Sequence, residues 1–109
     1  MTIVASTEHF RLSTIAKIFQ DDGDGDHGIK HLPVSEGLML DVKYDGEHYY
    51  AIGEFKPNIK SNVVTFETFG EEFFGFIESD YLDELKFISK YAFQVLHKEM
   101  DKKLKEIYG

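Results

Sequence analysis

At 109 residues, with a formal charge of −8 and no cysteine, the chain has room for one domain. It excludes a disulfide framework, a thiolate metal site and a cysteine nucleophile. An apolar content of 42%, with ten Phe and six Tyr, excludes a natively disordered polymer, so one α+β domain spanning 1–109 is expected.

The charge is unevenly placed. Residues 1–20 net +1, residues 21–85 carry sixteen acids against four lysines for a net of −12, and residues 86–109 net +3. A central field of that sign repels nucleic acid and anionic membrane and attracts a basic protein surface. The N-terminal Met1–Ser6 has no basic region followed by a long apolar one, so no signal peptide is expected. No run approaches the roughly 18 apolar residues of a membrane helix. A cytoplasmic protein is the expectation.

In chain order, Leu12, Ile15, Ile18 and Phe19 recur at helical spacing after Ser6 and Thr7, which predicts a helix over 7–19. Asp21-Asp22-Gly23-Asp24-Gly25-Asp26 ends it, and Ile29–Val34 is a candidate edge strand. Leu38, Leu40, Val42 and Tyr44 then alternate, and Asp45-Gly46 marks a hairpin whose returning strand runs Glu47 to Phe55. Strict alternation places Tyr49, Ala51, Gly53 and Phe55 on one face, with His48, Tyr50 and Ile52 on the other.

Pro57, Asn58 and Asn62 make a turn, and Val63–Phe69 reads as a strand. Phe73–Ile77 reads as a fourth strand, with a short helix as the alternative. Ser79 is the predicted cap of a long helix reaching about Ile107. Its stripe is Tyr81, Leu85, Ile88, Ala92, Leu96, Met100, Leu104 and Ile107. The expected architecture is an N-terminal helix, an antiparallel meander of three or four strands, and a long C-terminal helix packed on one face of the sheet.

Three patterns bear on chemistry. Alternate carboxylates at Asp22, Asp24 and Asp26 resemble half of a calcium loop, but His27 and Pro33 stand where an EF-hand needs Gly and Glu. His27 and His31 lie near Asp24 and Asp26 without a zinc-ligand pattern, so no metal or other cofactor is assigned. No serine elbow or phosphate-binding glycine loop is present, and no enzymatic activity is expected. The third pattern is Phe66–Tyr81, where six aromatics and five acids share sixteen residues. Phe73 and Phe74 cannot both face a core if this is a strand, and aromatic anchors beside charge are the chemistry of protein-binding hot spots.

These readings favour a small acidic protein-binding module. The expected role is an inhibitor or immunity protein masking a basic surface of a nuclease-type toxin, or of another protein acting on nucleic acid. Its expected contacts are Glu67, Phe69, Glu71, Glu72, Phe73 and Phe74, with Asp22, Asp24 and Asp26 as an outer electrostatic rim. One alternative is an oligomeric structural or regulatory subunit joined through the C-terminal helix. Another is a cation-binding protein using the Asp21–His31 loop.

Overall fold

Alternating apolar residues pair into an antiparallel sheet, and a helical stripe of matching length covers one of its faces. The structure, a computed structural model, describes residues 3–15, 37–58 and 60–108, with Ile107 and Tyr108 as backbone only. Five strands follow one another: β1 (Ile3–Ser6), β2 (Phe10–Thr14), β3 (Leu38–Asp45), β4 (His48–Asn58) and β5 (Val63–Thr68). Each pairs antiparallel with its neighbour in sequence, giving the order β1-β2-β3-β4-β5. Two helices complete the chain, α1 (Glu71–Asp80) and α2 (Leu82–Tyr108). The α+β class and the long C-terminal helix are as expected, whereas the sheet has five strands and not three or four.

The predicted N-terminal helix is absent from residues 7–15; in its place stand a turn at Thr7–His9 and strand β2. Phe10 and Leu12 alternate into the core, while Arg11 pairs with Asp41 on the other face. The period is therefore two, and the Leu12–Ile15 spacing that suggests a helix is incidental to it. Residues 16–36, with the acidic run, His27, His31 and the candidate strand Ile29–Val34, lie outside the described residues.

The β3–β4 hairpin turns at Gly46, whose φ of +80° suits the first central position of a two-residue type II′ turn. β4 departs from strict alternation. Leu40 pairs with Gly53 and Asp41 with Ala51, so Ile52 is an inserted bulge residue. The bulge brings Phe55 to the helix side beside Tyr50 and Ile52, correcting the opposite facing expected for Phe55 from sequence. A side chain at Gly53 would strike the Phe66 ring, which lies over it from β5.

Residues 73–77 form helix and not a fourth strand: Phe73, Ile77 and Tyr81 step by four, and Glu71 and Glu72 occupy the favourable first turn. Ser79 lies within α1 and caps nothing, because the break between helices comes at Tyr81 (φ −131°, ψ 41°). Beyond it, Leu85, Ile88, Ala92, Leu96 and Met100 are buried as the stripe predicts, against Phe10, Leu12, Leu38, Leu40, Val42, Ile52, Phe55 and Val64 from the sheet. No helix among the described residues is long and apolar enough to cross a membrane.

Candidate functional site

α1 crosses one end of the sheet, and its two ends meet that sheet differently. At its C-terminal end Tyr81 stacks on His9 with ring centroids 4.3 Å apart and meets Phe10 edge-on at 6.1 Å. Just beyond, Glu84 accepts hydrogen bonds from Thr7 Oγ1, from the His9 backbone N–H at 2.6 Å and from the His9 ring at 2.9 Å. Burial acts to raise the Glu84 carboxyl, but the bonds from Thr7 and His9 prevail and hold it below its ordinary value of 4.5. This arrangement ties the β1–β2 turn to the start of α2.

At the N-terminal end of α1 the contact is left open. Phe73 meets Tyr44 and Tyr50 edge-on, at 5.4 and 6.1 Å, while Phe69 stands at the end of β5 half exposed. Together with Ile52 and Gly70 these rings line a cleft of about 500 Å³. Tyr44 and Tyr50 each keep about 40% of their surface in water. The Tyr50 hydroxyl donates to Asp45 Oδ2 at 3.1 Å, and that bond, more than Asp45's charge, raises the tyrosine's pKa. Glu71 and Glu72 follow Gly70 directly, exposed and with no ion pair among the described residues. A half-buried aromatic surface beside uncompensated carboxylates can take an apolar or cationic group and would repel an anion.

The residues singled out from sequence are divided by the fold. Phe69 and Phe73 line the cleft, and Glu71 and Glu72 stand at its helical side. Phe74 turns inward and packs on Phe66 with centroids 5.5 Å apart, joining the core. Glu67 lies on the opposite face of the sheet, where it receives Lys56 Nζ at 2.6 Å. That pair is solvent-exposed, raises the lysine's pKa, and contributes little stability. Asp22, Asp24 and Asp26 lie outside the described residues.

Sequence reasoning missed Tyr44, Tyr50 and Asp45. The signal was there for Tyr44, last in the alternating series of β3; Tyr50 faces the same way because a second register shift, between Lys43 and Asp45, sets it opposite Val42. The face of the sheet turned away from the helices carries Arg11, whose guanidinium lies 3.8 Å above the Tyr49 ring centroid and donates to Asp41 at 2.9 and 3.1 Å. A larger concavity, about 800 Å³, runs along the flank of α2 between Lys86, Lys90, Phe93 and His97. It is one side of a single helix with no convergent groups, so its volume carries less weight than the chemistry of the aromatic cleft.

Among the described residues no three His, Asp or Glu side chains are placed to hold a metal ion. No known protein family, no curated protein and no solved structure matches the chain.

Proposed function

We propose that the chain is an acidic protein-binding module that masks a basic surface of another protein. The role that suits it best is an inhibitor or immunity protein directed at a nuclease-type toxin or another nucleic-acid-acting protein, without catalysis of its own. The observation that carries this reading is the half-exposed cluster Tyr44, Tyr50, Phe69 and Phe73, set beside Asp45, Glu71 and Glu72. Aromatic rings held by a rigid sheet and helix lose little entropy on binding, which suits them to anchor a partner. The −12 carried by residues 21–85 would speed encounter with a basic surface.

The test uses the whole chain as bait in a lysate of its source, washed at low and high salt, with captured proteins identified by mass spectrometry. A single basic protein is expected. Double charge reversal, Glu71→Lys with Glu72→Lys, should slow association with it by about threefold to tenfold and flatten its salt dependence. Association unchanged by the reversal would remove this surface from the reading.

Self-association is a second reading, supported by Phe87 and Tyr91, which lie off the buried stripe of α2 and are 66% and 39% exposed. A mass that rises with concentration in sedimentation would favour it over a dissimilar partner.

A further inference from the structure

β4 carries two adjacent tyrosines that point to opposite faces of the sheet, and each has a carboxylate near it. On the face away from the helices, Tyr49 and Asp41 hold Arg11 between them, ring below and carboxylate alongside. On the helix side, Tyr50 is joined to Asp45 by a hydrogen bond, and among the described residues no lysine or arginine lines the cleft that Tyr50 shares with Tyr44, Phe69 and Phe73. The two places have the same chemical components, and among the described residues the first alone holds an arginine or lysine.

We propose that this cleft receives an arginine side chain projecting from a basic protein partner. Its guanidinium lies on an aromatic face, and its N–H groups are directed towards Asp45. The inference rests on the binding-module reading and names the group that the module grips. Arginine suits the site better than lysine for a physical reason. The guanidinium is flat and weakly hydrated, so it stacks on a ring at little desolvation cost, whereas an ammonium holds its water more tightly.

Asp45 is 61% exposed at its side chain and can accept further donors beyond Tyr50. The competing His48 ring nitrogen stands 3.8 Å from Asp45 Oδ1, beyond hydrogen-bond reach. The N-terminus of α1, capped by Gly70 without a side-chain hydrogen bond, presents a partial positive charge that opposes a cation. That charge is about half a unit, and the two full charges of Glu71 and Glu72 in the same turn outweigh it.

The experiment titrates Nα-acetyl-arginine N-methylamide into the isotope-labelled whole chain and follows the ring and amide resonances of Tyr44, Tyr50, Phe69 and Phe73. Lysine, citrulline and leucine counterparts run in parallel. The arginine derivative should give saturable shifts confined to these residues with a midpoint on the order of 10 mM, as one anchored side chain allows. Lysine should bind about threefold more weakly, and citrulline, with the same shape and no charge, about tenfold more weakly. Asp45→Asn and Phe69→Ala, both at exposed positions, should each weaken the arginine response by about threefold or more.

Equal response to citrulline or leucine would overturn the proposal, as would shifts scattered over other carboxylates. So would cleft resonances that move with protein concentration alone, because a second copy would then be the occupant. Failure here with a captured basic partner still sensitive to reversal at Glu71 and Glu72 leaves the binding-module reading standing on another anchor. Failure of both removes the cleft from either role.

Discussion

The two ends of α1 make the same kind of contact with the sheet and leave it in opposite states. Tyr81 at one end is stacked, flanked by a carboxylate that accepts three hydrogen bonds, and joined to the β1–β2 turn. Phe73 at the other end meets two tyrosines that keep about 40% of their surface in water, beside glutamates with no ion pair among the described residues. Burial and satisfied polar atoms mark the first end as a fastening that holds the fold. Exposed rings beside unneutralised acid cost stability that the fold does not recover, and such surface is where function is to be sought.

The comparison predicts unequal responses to truncation. Tyr81→Ala should destabilise the chain by about 3 kcal/mol in denaturant unfolding, through lost stacking on His9 and Phe10 and a gap against the core. Glu84→Gln should cost about 1.5 kcal/mol at neutral pH, the worth of hydrogen bonds to a charged acceptor over a neutral one.

That second difference should depend on pH in one direction. The folded carboxyl titrates below 4.5, so the unfolded chain binds its proton first as pH falls. The stabilisation is present above 4.5, and the advantage over Glu84→Gln should shrink as pH drops through the lowered folded value. An advantage that stayed constant down to pH 2 would show that the charge of Glu84 is not what fastens the turn.

At the open end, Phe69→Ala should change stability by no more than about 0.5 kcal/mol, since half of that ring is already in water. A loss as large as that of Tyr81→Ala would mean that both ends of α1 are structural, and the contrast would collapse.

Much of the scaffold is legible in the residues. Leu38, Leu40, Val42 and Tyr44 alternate and Asp45-Gly46 follows, so β3 and its turn are local events with local causes. The α2 stripe from Leu85 to Met100 is equally plain, because five buried positions at steps of three and four leave little ambiguity. β2 is not legible, since Phe10 and Leu12 alternate as in a strand while Leu12 and Ile15 step as in a helix. Pairing with β3, which lies beyond residue 37, decides between them. The candidate site was half visible: Phe69 and Phe73 stand in an aromatic and acidic run, while Tyr50 reaches them through the register shift between Lys43 and Asp45, which no local pattern announces.

The neighbour-only order of the sheet has a consequence for assembly. Between β3 and β4 the chain closes over two residues, Gly46 and Glu47, but between β2 and β3 it must close over residues 15–37. Loop-closure entropy grows with the logarithm of length, so the longer closure costs about 2 kcal/mol more than the shorter. The β3–β4–β5 unit is thus the cheaper one to assemble first, with the β1–β2 pair added at an entropic disadvantage. The charge that Glu84 brings to its hydrogen bonds, worth about 1.5 kcal/mol over a neutral acceptor, is of the size needed to offset most of that disadvantage. A carboxylate on the last helix therefore helps to recruit the first hairpin, drawing the two ends of the sequence into one cooperative unit.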